Sequence, residues 1–205
     1  MKKKSLLLFI IILNNLFAVG EAGAIFLLIS PGAGPQGAGE AQVAKVNDAY
    51  ASYYNPSGLA FLKGREAVGM HVQWLPNLAD DLYYEFLAYR HYIEGLGSVG
   101  GHVIYLNLGE QIGMDALGNP TSNWMSFMGA ASLSFGAKLS ETSSIGFNAK
   151  IFHQKLSEHR TEGEEGKGHS TDFAFDIGYL KKFKENSETL KIKKIKNIKK
   201  WVNSL

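Results

Sequence analysis

The sequence predicts an all-β protein: an antiparallel transmembrane β-barrel, here a partial barrel of about six long strands with a short N-terminal plug helix. Three observations predict it. Apolar and polar residues alternate after residue 66, the links between these stretches alternate between short and long, and an export signal precedes them. A two-residue period places successive side chains on opposite faces of a strand.

The composition excludes several classes of protein. The 205 residues contain no cysteine, which excludes disulfide scaffolds, thiolate metal sites and cysteine nucleophiles. Residues 181–205 hold nine Lys and two Glu, whereas residues 22–180 hold nine basic and sixteen acidic groups. An acidic body between basic ends is not the composition of a nucleic-acid-binding protein.

The first 24 residues are typical of a signal peptide. Lys2–Lys4 form a positive start, and Leu6–Leu13 form an apolar run too short to span a bilayer as a helix. Small residues follow, and we expect cleavage between Gly20 and Ala24. The alternative is a buried N-terminal helix, which Asn14 and Asn15 would interrupt.

Residues 25–65 are predicted to form a plug or hatch segment. Ile25–Ile29 is an apolar, strand-like run, and Gly32–Gly37 matches the G-x-G-x-x-G fingerprint of dinucleotide sites. Pro35 lacks the N–H that a phosphate would need, and no strand–helix–strand pattern follows, so we expect no nucleotide site.

A helix followed by a sharp turn is predicted next. Small residues three or four apart indicate a helix over Glu40–Tyr53. Pro56 disfavours helical backbone at Asn55, and Gly58 permits a tight turn, with Leu59 as an apolar anchor. A small-sided helix with such a turn suits a plug in a barrel mouth; a surface helix on a soluble sheet is the alternative.

Residues 66–182 are predicted to supply the barrel strands. The predicted strands are long enough to cross a bilayer, for which a tilted strand needs about nine to eleven residues. The bulky residues of these strands are expected to face lipid, and the small and polar ones to face the lumen. The clear segments are Val68–Trp74, Met125–Leu139, Ile145–Ile151 and Phe173–Tyr179, and two less regular ones are Leu82–Ile93 and Ser98–Leu108.

The predicted links support a membrane barrel. Links on one side are four residues long, and those on the other side are longer, which is typical of periplasmic turns and outer loops. The predicted short links are Glu94–Gly97 and Ser140–Ser143, and the long ones are Pro76–Asp81, Gly109–Asn123 and Ser157–His169.

Residues 183–205 form a basic tail that departs from the strand pattern. Ile192, Ile195, Ile198 and Trp201 recur every three residues, which is compatible with a basic amphipathic helix. We interpret the tail as the aberrant end of a truncated or frameshifted product; a membrane-surface tail is the alternative. Six strands are too few for a common single-chain barrel.

Catalytic and metal-binding patterns are missing from the sequence. The six histidines show neither H-x-x-x-H nor H-E-x-x-H spacing, and no G-x-S-x-G occurs. We therefore predict no enzyme activity, no catalytic residue, no metal and no cofactor. The residues predicted to matter are structural and belong to the plug turn: Asn55, Pro56, Gly58 and Leu59.

An ordered series of segments resembles the start of the mature PorV/PorQ family, within the FadL-like outer-membrane barrels. The Asn-Pro-x-Gly-Leu-Ala element after an Ala-rich stretch is its most specific part, and the similarity runs from about Phe26 to Lys182. The matching segments are Phe26–Ala33, Gly37–Ala44, Asp48 and Tyr54–Ala60.

The resemblance implies a barrel of about fourteen strands with the N-terminal segment inside, in the outer membrane. PorV-type members receive exported cargo in type IX secretion, so the implied partners are outer-membrane lipid, secreted cargo proteins and secretion-system subunits, with no nucleic acid. FadL-type members pass hydrophobic molecules, which is the alternative function. A truncated, non-functional fragment of such a barrel is the third possibility.

Overall fold

The computed structural model describes residues 24–77, 79–115, 117–157 and 168–183. The predicted signal peptide (before residue 24), most of the charged loop between Ser157 and His169, and the predicted basic tail beyond Phe183 lie outside the described residues. Those three interpretations stay predictions.

Six strands form one sheet, which confirms the all-β prediction. The strands are paired in sequence order, and every pair is antiparallel. In the described residues no pairing joins the first strand to the last, so the sheet is open. The strands are β1 Arg65–Gln73, β2 Tyr83–Ile93, β3 Gly97–Met114, β4 Pro120–Lys138, β5 Ser143–Lys155 and β6 His169–Lys181.

The links differ from prediction at one place. The short turns lie where expected, at residues 94–96 and 139–142, but the predicted loop Gly109–Asn123 is mostly strand. After a bulge between Asn107 and Glu110 the two strands pair again, and the true turn is residues 115–119. In that turn the Asp115 carboxylate accepts hydrogen bonds from the N–H groups of Leu117 and Asn119, a local arrangement that the spacing of apolar residues does not report.

The N-terminal segment, residues 24–64, contains only short helices. They are 3₁₀ turns at Ile25–Leu28 and Pro56–Phe61 and α-helical turns at Ala33–Gly37 and Ala51–Tyr54. Ile25–Ile29 is therefore not a strand.

The predicted helix over Glu40–Tyr53 was wrong except for its end. The Asp48 side chain accepts a hydrogen bond from the Tyr50 N–H and starts the short turn there. Upstream, the Val43 carbonyl accepts a hydrogen bond from the Asn55 side chain instead of a helical N–H. These tertiary and side-chain bonds override the weak helical preference of the small residues.

The G-x-G-x-x-G stretch does not form a dinucleotide site. Gly32 has a φ of 96° and precedes the turn Ala33–Gly37, and the neighbouring sheet is antiparallel throughout. A Rossmann site requires a parallel βαβ unit, so the sequence-based rejection of this motif agrees with the fold.

The two faces of the sheet differ in chemistry. We call the face on which the N-terminal segment lies the covered face, and the opposite one the open face. On β4 to β6 the covered face carries small and polar residues, including Ser132, Asn148 and Asp176. The open face carries large exposed apolar side chains, among them Leu133, Phe173, Phe175 and Ile177.

β1 has the opposite orientation to the prediction. Val68 and Met70 pack with Trp74 against the main core cluster on the covered face, and Gly69 and His71 lie on the open face. The alternation was correct, but the choice of face was wrong, because the segment around Phe26 supplies a local apolar core there. The buried members of this cluster are Phe26, Ala49, Tyr84, Phe86, Ala88, Ile104, Leu106 and Ala130.

An aromatic row crosses the open face, near the long-link ends of β1, β2, β5 and β6 and in the middle of the longer strands β3 and β4. Each of the six strands contributes one ring, and neighbouring centroids are 5.8–6.3 Å apart. The members are His71, Tyr83, Tyr105, Phe127, His153 and His169. This aromatic row therefore borders one side of the apolar surface.

Candidate functional site

The predicted plug turn lies on the covered face, across β4, β5 and β6. Three glycines from these strands are direct register partners: Gly136 with Gly146, and Gly146 with Gly178. A Cβ atom on any of the three would collide with the backbone or side chain of residues 55–60. This glycine row lets the turn approach the sheet backbone closely.

Asn55 joins the turn to its surroundings through both ends of its amide. The Nδ2 group donates to the Val43 carbonyl at 3.0 Å and to the Tyr179 carbonyl on β6 at 3.4 Å. The Oδ1 atom accepts from the N–H and the hydroxyl of Ser57 at 3.2 and 2.6 Å. Asn55 is buried, and the bond from the Ser57 N–H caps the 3₁₀ helix Pro56–Phe61.

The other predicted turn residues are placed in the same contact. Pro56 begins the 3₁₀ helix, where its missing N–H costs nothing. A Cβ on Gly58 would collide with the side chain of Val46. Leu59 is fully buried in a second cluster with Val46 and Leu180. The structure therefore brings all four predicted residues together; that they act as a plug stays a prediction.

Polar groups of the sheet extend this contact beyond the turn. The Ser144 hydroxyl donates to the Ser57 carbonyl at 2.8 Å, and Asn148 Nδ2 donates to the Ser52 carbonyl at 3.2 Å. These bonds satisfy backbone carbonyls that the segment's short helices leave free. The alternating pattern of the sequence does not indicate that Ser144, Asn148 or the glycine row takes part in this contact.

One buried histidine sits between the segment and the sheet. His102 Nδ1 lies 3.1 Å from Ser52 Oγ and 2.8 Å from Ser132 Oγ, and its Nε2 has no partner in the described part of the chain. The ring is enclosed by Phe86 at 5.5 Å and Tyr53 at 5.7 Å between centroids. A serine and a histidine in contact can form a nucleophile pair; here His102, Ser52 and Ser132 are all buried.

An ion pair lies beside the turn at the free edge of β6. Lys150 Nζ is 2.7 Å from Asp176 Oδ2, which also accepts a hydrogen bond from Asn148 Nδ2 at 3.0 Å. A groove of about 320 Å³ adjoins the pair. It is lined by Val43, Tyr53, Tyr54, Asn55, Pro56, Lys150, Asp176, Ile177, Gly178 and Tyr179.

Two further properties of the described residues bear on the site. They contain no group of three or more His, Asp or Glu side chains placed to hold a metal ion. No helix within the described ranges has the length and apolar character to cross a membrane.

The comparison with known families identifies one match. A sequence model described as the type IX secretion system protein PorV matches residues 15–191, which is most of the chain. The match includes the Asn-Pro-x-Gly-Leu-Ala element and confirms the resemblance drawn from the sequence. No curated protein matches the chain.

Proposed function

The chain belongs to the PorV family of type IX secretion system proteins, and on that premise we propose that it lies in the outer membrane and binds or passes secreted cargo. The family is a component of a secretion system, so a role in type IX secretion follows from membership. The outer-membrane location of this chain and its contact with cargo are the parts that we propose. The proposed action is docking and not chemistry.

The observation that carries the proposal is the difference between the two faces of the sheet. The side chains of Phe173, Phe175, Ile177 and Leu133 on the open face are 69–79% exposed. Soluble proteins rarely leave large contiguous apolar patches in water, whereas a membrane strand turns such residues toward lipid. On β4 to β6 the covered face, with its glycine row, Asn148 and the Lys150–Asp176 pair, is the polar side that suits an aqueous interior.

The groove at the edge of β6 supports a peptide as the bound molecule. It combines three tyrosines, Tyr53, Tyr54 and Tyr179, with the Lys150–Asp176 pair. A few polar groups among aromatic walls can fix the orientation of a peptide. A hydrophobic solute, as passed by FadL-type proteins, would make no polar contact with the Lys150–Asp176 pair.

Site-specific photo-crosslinking tests cargo contact. A benzoyl-phenylalanine replaces Val43, which lines the groove and is 58% exposed, in the full chain produced in a cell with a working type IX system. The matched control carries the same probe at Val103, which is 51% exposed on the open face. We expect an adduct with a secreted protein from position 43 and not from position 103.

Other results would contradict the proposal. Adducts from neither position, or equally from both, would contradict cargo docking in the groove. A bound fatty acid in the purified protein would favour the hydrophobic-solute function. Recovery of the chain away from the outer-membrane fraction on a density gradient would contradict the proposed location.

A further inference from the structure

Basic side chains collect at the end of the sheet that carries the short turns. We call this group the basic rim; each member lies within two residues of a strand end. Among the described residues, the acidic groups at this end include Glu66, Glu94 and Glu141. Glu66 is paired with Arg90 at 2.7 Å, and Glu141 lies 3.9 Å from Lys138 Nζ. The basic rim consists of Lys63, Arg65, Lys138, Lys181 and Lys182.

The opposite end of the sheet has the opposite charge. Four carboxylates lie in or beside the long links. Among the described residues at this end, Lys155 is the basic residue that ends a strand. These carboxylates belong to Asp80, Asp81, Glu110 and Asp115. The charge separation therefore runs along the strands, and a negatively charged partner is favoured at the short-turn end.

A small cleft opens within the basic rim. Its volume is about 190 Å³, and its walls include Phe61, Lys63, Leu96 and Lys138. The Phe61 ring lies 4.0 Å from Lys182 Nζ and 5.6 Å from Lys138 Nζ, measured to its centroid. A negative group in this cleft would meet lysine ammonium groups above an apolar wall.

The cleft opens at the same end of the sheet as several exposed apolar side chains, one of which, Leu96, lines it. Leu96, Leu139 and Tyr179, at the same end, are each between 57% and 62% exposed. A molecule that has an anionic head and apolar chains can use both surfaces at once, whereas a free anion or an acidic peptide would use the lysines alone. Lysine side chains beside an apolar surface are also typical of the level of lipid headgroups.

We propose that the basic rim binds the headgroup of an anionic phospholipid whose acyl chains lie along the open face. This inference rests on the proposal that the open face meets lipid. It adds a lipid preference and a side of the membrane to that proposal: the short-turn end faces the leaflet that supplies the anionic phospholipid.

Lipid selectivity measured by electron spin resonance tests the inference. The full chain is reconstituted in phosphatidylcholine vesicles with a trace of spin-labelled phosphatidylglycerol or spin-labelled phosphatidylcholine. We expect a larger motionally restricted fraction with the glycerol lipid. Lys138→Gln should reduce the selectivity on the order of fivefold, the effect of one lysine near an anionic headgroup, and the matched change Lys155→Gln, at the opposite end of the sheet, should leave it unaltered.

The other outcomes separate the possible failures. A chain that does not float with any vesicle would overturn both the membrane placement and this inference. Equal restriction of the two labelled lipids, or equal effects of the two substitutions, would overturn the inference alone. Loss of the preference with inorganic phosphate, but not with sodium chloride of equal ionic strength, would show a site for free phosphate and overturn it too.

Discussion

At the scale of single residues, three aligned glycines decide how closely the N-terminal segment approaches the sheet. A Cβ on Gly146 would fall on the backbone of Pro56 and Ser57, which cannot move aside as a flexible side chain can. The same approach allows the Ser144 hydroxyl to reach the Ser57 carbonyl. Hydrogen bonding and close packing at this site therefore both depend on having glycine, which has no side chain, at these three positions.

Gly146→Ala is expected to lower the free energy of unfolding by about 1–3 kcal/mol, the usual cost of forcing an extra group into a packed contact. The measurement is urea unfolding in detergent micelles, together with protease cleavage of the N-terminal segment. Gly129→Ala is the control, because a Cβ there meets only ordinary contacts beyond 3.5 Å. Equal stability of the two variants would show that the glycine row does not set the approach.

Asn55→Ala removes all four hydrogen bonds of the turn amide and leaves buried partners unpaired. We expect a loss of about 2–3 kcal/mol of stability, since each buried group left without a partner costs about 1–3 kcal/mol. Asn123→Ala, at an exposed strand position, should cost less than about 0.5 kcal/mol. If protease cleaves the N-terminal segments of the two variants at the same rate, the amide does not hold the segment.

Tyr53 gives the segment a measurable pH dependence. Burial raises the pKa of its phenol from 10 to about 12, and its hydroxyl donates to the Leu27 carbonyl at 2.8 Å. Because the raised pKa belongs to the folded state, the stability contributed by the neutral phenol is present below pH 10 and is lost as the pH rises through about 12. The difference in absorbance at 295 nm between the native chain and Tyr53→Phe should have its midpoint near pH 12. A midpoint at 10 would mean that the segment is not docked.

At the scale of elements, strand positions could be predicted because alternation is a local property. Met125–Leu139 and Phe173–Tyr179 lie almost wholly within β4 and β6. The face of β1 could not be predicted, since a period of two does not say which side meets the core. The extent of the helix near Ala51 depends on a hydrogen bond that Asp48 accepts and one that Asn55 donates, and both form only in the folded chain.

The residues of the candidate site also fall into those that the sequence predicts and those that depend on the folded structure. Asn55 and Gly58 could be predicted because proline restricts the backbone of the residue before it and glycine permits conformations that other residues avoid. The glycine row requires the register of three strands, and no single strand contains that information. Glycines at the covered-face positions of successive strands are the signal that could have indicated it.

Depth along β6 should determine the cost of a charge on the open face. Phe175 lies in the middle of the apolar surface, and Thr171 lies beside His153 of the aromatic row. If that row marks an interface, Phe175→Lys should destabilise the folded protein in vesicles by about 2–4 kcal/mol and Thr171→Lys by about 0–1 kcal/mol. The measurement is the urea dependence of folding into phosphatidylcholine vesicles. Equal costs would place the open face in water.

At the scale of the whole molecule, the sheet built by the described residues has two edges that pair with no other described strand, β1 and β6. Unpaired backbone groups cost several kcal/mol each in hydrocarbon, and in water an exposed edge promotes association. The described strands therefore need further strands beside them before they can form a closed wall.

We expect the purified chain alone to aggregate or to unfold readily, and to become stable when other copies or secretion-system subunits are present. Heat-modifiable migration on gels and light scattering measure this directly. A sharp, heat-modifiable band from a folded monomer would contradict the prediction. Aggregation that persists with those subunits present would contradict completion by them.

The hydrogen bond from Asn55 to Tyr179 joins residues 124 positions apart, and that from Ser144 to Ser57 spans 87. The N-terminal segment can therefore complete these contacts only after β6 has been synthesised. Until then these hydrogen bonds are absent. Any factor that binds the nascent chain must therefore protect the N-terminal segment throughout synthesis and export.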